Sequence, residues 1–287
     1  MPEAVSGYHR LVASGTNRLR LAGVADFARE ARRIWQDLAD PRAPLGAEFL
    51  APADRMVTRS MAVAYQTAIA RRARGEPLAH VTGWVGFRRL LLRSDRRALI
   101  PRPETEGLVD HLLTRVPGGR VADLGTGSGC LALALADEGR YDSIVGVDRS
   151  QDALALANVN RLLTGLPVDL VRGDWIESLK TGEVDGIVAN PPYVTSDEYR
   201  SLDRSVREWE PATALEGGAD GLGATRTLLE GAGRVVRPGG WIALEVDCTR
   251  AAATAGLALQ CGWQDVSVHD DLFGRARYLL ARRSAAA

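Results

Sequence analysis

From residue 101 onward, short apolar runs alternate with stretches of helical period. That alternation admits few architectures, because strands separated by helices pair in parallel and a parallel sheet has to be covered on both faces. The runs Arg120 to Asp123, Ser143 to Val147, Val168 to Val171, Asp185 to Ala189, Trp241 to Val246, Asp265 to Val268 and Ala276 to Ala281 predict the seven strands of one doubly wound, Rossmann-like α/β domain. Helices are expected over Gly129 to Glu138, over Gln151 to Leu163 with Ser150 as N-cap, and over Gly223 to Val235 ahead of a Pro238-Gly239-Gly240 turn.

The preceding residues read differently. Residues 20 to 75 carry a helical pattern in which Val24, Phe27, Ala31, Ile34, Trp35 and Leu38 share one face before Pro41 and Pro44 interrupt it. A second helix is expected from about Ala53 to Arg74, with Met56, Val63 and Ile69 on its apolar side and Gly75 as its stop. Gly83-Trp84-Val85-Gly86 and Leu90-Leu91-Leu92 suggest a β-hairpin. The expected organisation is therefore a small helical domain over 1–75, a hairpin linker over 76–100 and an α/β domain over 101–287. A chain of 287 residues has room for this pair.

Lys plus Arg and Asp plus Glu are equal at 36 each, so no global basic field announces a nucleic-acid binder. Cys130, Cys248 and Cys261 form no Cys-x-x-Cys pair, and His9, His80, His111 and His269 share no ligand spacing, so no metal is expected. No apolar run has the length of a membrane span and no secretory leader pattern is visible, which makes a cytoplasmic protein the expectation.

Two segments carry chemistry. Val121-Ala122-Asp123-Leu124-Gly125-Thr126-Gly127-Ser128-Gly129 reads as strand, glycine turn and helix start. Its G-x-G-x-G spacing, with Cys130 at the next position, departs from the dinucleotide fingerprint, and the helix amides behind it suit a carboxylate. Asp148 ends the next strand, where it can accept ribose hydroxyls. Asp174-Trp175 follows the third, offering a carboxylate to an adenine amine and an indole to its face. Each feature also occurs in ordinary α/β domains. Together at successive strand ends, they favour S-adenosylmethionine, released as S-adenosylhomocysteine.

The second segment, Asn190-Pro191-Pro192-Tyr193, ends the run Val184 to Ala189. Two prolines remove two donors and fix the backbone, so the Asn190 side chain and the Pro191 carbonyl are suited to accept hydrogen bonds from an NH2 group, with Tyr193 packing on a planar acceptor. Asn190, Pro191 and Tyr193 are the candidate catalytic residues, and Pro192 completes the substrate loop.

These motifs, together with Glu76-Pro77-Leu78-Ala79-His80, Ile100-Pro101-Arg102-Pro103-Glu104-Thr105-Glu106 and Ala214-Leu215-Glu216-Gly217-Gly218-Ala219-Asp220-Gly221, resemble the protein glutamine N5-methyltransferases of the HemK or PrmC type over almost the whole chain. The resemblance implies a class I S-adenosylmethionine-dependent methyltransferase. It also implies a class 1 peptide-chain release factor as partner, modified at the glutamine of its Gly-Gly-Gln loop. By resemblance Gly125 to Gly129, Asp148, Trp175 and Asn190 contact the cofactor and Asn190 to Tyr193 hold the glutamine amide. After the fifth strand the family usually has Glu, an apolar residue, Gly and soon Gln, whereas this chain has Glu245-Val246-Asp247-Cys248-Thr249-Arg250. Two competing readings are an amine methyltransferase acting on an exocyclic base amine of DNA or RNA and a cofactor-binding module without catalysis. Arg71, Arg72 and Arg74 suit a helix C-terminus better than a docking patch.

Overall fold

The structure is a computed structural model that describes residues 4–43 and 56–285. The chain forms two compact units, one from the N-terminal residues through Trp84 with Arg204–Trp209, the other from Val85–Asp203 with Glu210 onward.

The first unit is helical: β1 (Ala4–Gly7), α1 (Tyr8–Leu21), α2 (Phe27–Ala39), β2 (Met56–Thr58), α3 (Arg59–Ala73) and α4 (Leu78–Thr82), with β1 and β2 paired antiparallel. Leu19, Ile34, Trp35, Tyr65 and Ile69 form its core. Trp35 meets Tyr8 and Tyr65 edge-on at 5.3 and 5.7 Å, and the Tyr65 hydroxyl donates to the Ala31 carbonyl at 3.2 Å. Three expectations are corrected. Helix α1 precedes the expected start at residue 20. Met56 belongs to a strand, because the Thr58 hydroxyl accepts from the Met61 amide at 3.3 Å and caps α3 there. Val63 is exposed, facing away from the core. The expected helix start at Ala53 lies outside the described residues. Arg71 and Arg72 are bound to Glu76 and Glu30.

The chain continues through β3 (Trp84–Phe87), β4 (Leu90–Arg93), α5 (Glu106–Arg115), β5 (Arg120–Leu124), α6 (Cys130–Glu138), β6 (Ser143–Asp148), α7 (Gln151–Thr164), β7 (Asp169–Arg172), β8 (Val184–Ala189), α8 (Ser196–Ser201), α9 (Arg204–Arg207), α10 (Gly223–Val235), β9 (Val236–Glu245), α11 (Ala251–Gln260), β10 (Gln264–Asp270) and β11 (Ala276–Arg282), which apart from Trp84 and α9 make up the second unit. Four-residue α9 belongs with the first unit. The hairpin β3–β4 buries Phe87 and Leu92 against the second unit's core. Arg88 at its turn is bound by Glu138 and Asp110.

Seven strands form one sheet in the order β10-β11-β9-β8-β5-β6-β7, parallel except for β11, which runs antiparallel to both its neighbours. Adjacent residues feed opposite faces. Ala122, Ile187 and Ile242 pack beneath α10 and α11, while Val121, Val188 and Ala243 pack with Leu112 of α5 and Leu131 and Leu135 of α6. That is why these strands read as continuous apolar runs. Pro238-Gly239-Gly240 is not a turn ahead of the strand. It lies inside β9 as an irregularity, where pairing with β8 passes from Val236 directly to Trp241. Helix α11 fills a gap that the sequence pattern left open.

Chain order reverses between β5 and β8, which makes their carboxyl ends a topological switch point. The register there is even: Leu124 pairs with Ala189 and Ala189 with Leu244. The next residues, Gly125, Asn190 and Glu245, therefore leave three neighbouring strands at one level.

Candidate active site

A cavity of about 390 Å³ opens at this edge, wholly within the second unit, in the size range of small-molecule sites. Gly125, Thr126, Gly127 and Ser128 form its floor, with Asp148, Asp174, Trp175, Asn190 and Pro192 on its walls. The structure thus brings most of the sequence-selected residues together. Gly129, Pro191 and Tyr193 do not line the cavity. Gly129 takes a left-handed φ of 82°, and a Cβ there would lie 3.3 Å from Ala157, so this glycine lets α6 pack against α7.

The glycine turn is braced from three sides. Asp148 accepts from the Gly127 amide at 2.9 Å and from the Ser150 amide at 2.8 Å, using about half of a carboxylate's acceptor capacity. Asn160 of α7, fully buried, donates to the Ser128 carbonyl at 2.9 Å and exchanges bonds with the Arg93 backbone. Asp123, also fully buried, accepts from the Thr126 hydroxyl at 2.6 Å and the Ala132 amide at 3.1 Å through Oδ2. Its Oδ1 has no hydrogen-bond partner among the described residues, and burial pushes its carboxyl up to about 7. Trp175 is itself held in the left-handed region at φ 48°, and a Cβ on Gly125 would approach its ring to 3.1 Å. An alanine there would need left-handed backbone and a small shift of the indole, which favours glycine.

A strap from Arg97 to Arg102 lines the same cavity. Buried Glu210 fixes it, accepting from the Ile100 amide at 2.9 Å and from Arg102 Nη2 at 2.5 Å. Glu104 takes Arg275 at 3.3 Å, while its carbonyl accepts from the Tyr278 hydroxyl.

In the Asn190–Tyr193 loop, the candidate acceptor loop, Asn190 Nδ2 meets Thr105 Oγ1 at 3.1 Å, Thr105 donates to Glu245 Oε2 at 2.6 Å, and the Tyr193 hydroxyl donates to Glu245 Oε1 at 3.2 Å. Burial raises the Glu245 carboxyl, and the Tyr193 hydroxyl is raised by burial and then by that neighbouring carboxylate. The loop backbone is gripped from above. Val194 donates to the Leu215 carbonyl at 3.0 Å, and Gly217 to the Val194 carbonyl at 2.8 Å. A Cβ on Gly217 would fall 2.6 Å from the Pro192 carbonyl, so that close approach requires glycine. Arg250 joins the surrounding loops, with Glu198 at 2.6 Å, Asp247 at 3.1 Å and the Asp220 carbonyl at 3.0 Å.

Sequence reasoning singled out the glycines, Asp148 and the acceptor loop. It did not single out Thr105, Asn160 or Glu210 as site residues, and saw Glu245 only as the start of a departing stretch. Among the described residues no His, Cys, Asp or Glu cluster suits a metal ion, and no helix is long and apolar enough to cross a membrane.

The donor set fits S-adenosylmethionine. Asp148 retains acceptor sites for ribose hydroxyls, Trp175 gives an aromatic wall over a glycine turn, and the glycines leave room for close approach of a ligand.

Comparisons with known proteins agree. The Methyltransferase small domain matches residues 103–207 and the PrmC N-terminal domain residues 10–83. The crystal structure of a methyltransferase from Pyrococcus furiosus shares the fold, with a TM-score of 0.53 and 20% identity over 67% of this chain and 88% of its own. The release factor glutamine methyltransferase of Cereibacter sphaeroides is 38% identical over 94% of this chain and 96% of its own. That of Deinococcus radiodurans is 38% identical over 96% and 98%. With the helical first unit and the S-adenosylmethionine-dependent class I methyltransferase fold of the second, this similarity along nearly the whole length means that the chain belongs to the release factor glutamine methyltransferase family.

Proposed function

We propose that this protein methylates the side-chain amide nitrogen of the glutamine in the Gly-Gly-Gln motif of class 1 peptide-chain release factors. The observation that carries the reading is Asn190 on the wall of a cavity suited to the methyl donor, with its Nδ2 already engaged by Thr105. Its Oδ1 is left as an acceptor for an incoming NH2 group. Bound S-adenosylmethionine supplies an electrophilic methyl group.

The Gly125–Ser128 turn and Asp148 hold the cofactor's amino-acid and ribose parts, and Asp174 and Trp175 its base. An amide nitrogen is a poor nucleophile because its lone pair is delocalised into the carbonyl. Asn190 Oδ1 and the Pro191 carbonyl, each accepting one amide proton, orient that nitrogen and stabilise the positive charge that grows on it. Pro192 stiffens this loop and Tyr193 flanks the planar amide. No strong base is needed beforehand, since the proton becomes acidic only as the new bond forms.

The helical first unit contributes partner recognition, and the balanced charge supports a protein acceptor over a nucleic acid. A translation factor as substrate puts the enzyme in the cytoplasm. The test is incubation with labelled S-adenosylmethionine and unmodified release factor, followed by peptide mass spectrometry. Label on the Gly-Gly-Gln glutamine is expected. Its absence, with cofactor binding intact, overturns the choice of acceptor.

A further inference from the structure

Thr105 has one hydroxyl proton, and at 2.6 Å from Glu245 Oε2 it is committed to that carboxylate. The Thr105 oxygen can then only accept, so the Asn190 atom 3.1 Å away has to be the donor nitrogen. The amide orientation is thus dictated by the hydroxyl and ultimately by the carboxylate. Glu245 also accepts from Tyr193 at 3.2 Å, so one buried group is tied to both ends of the acceptor loop.

We infer that Thr105 and Glu245 are positioning residues that set the Asn190 amide with Oδ1 toward the acceptor, acting through Asn190 without touching the substrate. The inference rests on the amide-acceptor reading above. A neutral, protonated Glu245 could no longer accept from both hydroxyls, and Thr105 would be free to turn its proton toward Asn190. The amide would then present its NH2 group to the substrate NH2, donor against donor. The titratable groups around Glu245 are Tyr193 on the acceptor loop, Glu104 beside Thr105, Arg277 and Tyr278 on β11, and Cys130 on α6. Burial raises the Glu245 carboxyl, so turnover should decline on the acid side sooner than for a solvated glutamate.

The test compares Thr105→Val, of nearly equal shape, with Thr105→Ser, which keeps the relay. Thr105→Val should lose about a hundredfold in kcat, the scale of a misoriented catalytic group, with KM for release factor little changed. Thr105→Ser should restore turnover. Glu245→Gln, close in size, should lower kcat and abolish the acid limb of its pH profile. It provides a second route if the valine variant folds poorly.

A readout independent of turnover is the Asn190 side-chain NH2 resonance, assigned with Asn190→Ala. Its hydrogen exchange should be slow in the wild-type protein and the serine variant and fast in the valine variant. Wild-type kcat in folded Thr105→Val, a serine variant as impaired as valine, or unchanged Asn190 exchange overturns the inference. Failure of the wild-type protein to label release factor overturns the acceptor reading instead, and the exchange experiment still decides the orientation.

Discussion

Glu210 should be the strut on which the cofactor strap stands, and Glu210→Ala tests this. The carboxylate is buried and makes two bonds, to the Ile100 amide and to Arg102. Deleting it leaves the amide of Ile100 unpaired in a buried place, which costs about 1–3 kcal/mol. The Arg102 side chain is 34% exposed and regains water, so that bond contributes at most about 1 kcal/mol after screening. The total is about 1–4 kcal/mol. At about 2–4 °C per kcal/mol for domains of this size, the melting temperature should fall by about 2–16 °C. A strap that has lost its anchor also has to be reordered on binding. An ordering cost of the same size weakens S-adenosylhomocysteine binding by about fivefold to a thousandfold. Calorimetric melting and isothermal titration read the two effects separately. Glu210→Gln, which keeps an acceptor for Ile100, should fall between. An alanine variant with wild-type melting and wild-type affinity would refute the strut.

Gly125→Ala places a Cβ in left-handed backbone, costing about 1–2 kcal/mol, and pushes it toward Trp175, so cofactor affinity should fall about tenfold or more. Equal affinity by titration would show that the indole can move freely. Arg250→Ala removes the shared partner of Glu198, Asp247 and the Asp220 carbonyl, and should raise KM for release factor while cofactor affinity stays the same. An unchanged KM would exclude that bracing. Asp123 titrates near 7 when folded against an ordinary value of 3.8, so between those values the folded state holds the extra proton. Stability should therefore fall as pH rises from about 4 through about 7, by up to about 4 kcal/mol. Denaturant unfolding across pH should show a shallower slope for Asp123→Asn, and identical slopes would contradict it.

The sheet was legible because burial on both faces leaves a mark in each strand's own composition, as at Ile187-Val188-Ala189. The glycine turn was legible because its constraint is local. The braces were not. Thr105 is 85 residues from Asn190 and 140 from Glu245, and Glu210 is 110 from Ile100, so each pairing exists only through strand order. Met56 misled because three strand residues next to a helix leave no period to read. Gly129 packs α6 against α7, and spacing alone does not separate a glycine that lines the cavity from one that admits a helix.

Gly125, Asn190 and Glu245 emerge side by side yet belong to separate loops. The turn that suits the methyl donor and the segments that follow β8 and β9 are therefore written in different stretches of chain, joined by backbone ladders and by the bonds that Glu245 accepts from Thr105 and Tyr193. Changes after β9, such as Asp247 to Arg250, lie outside the cavity lining and can alter the proposed receiving half while the glycine turn stays intact. A lineage can thus drift in target without relearning its cofactor.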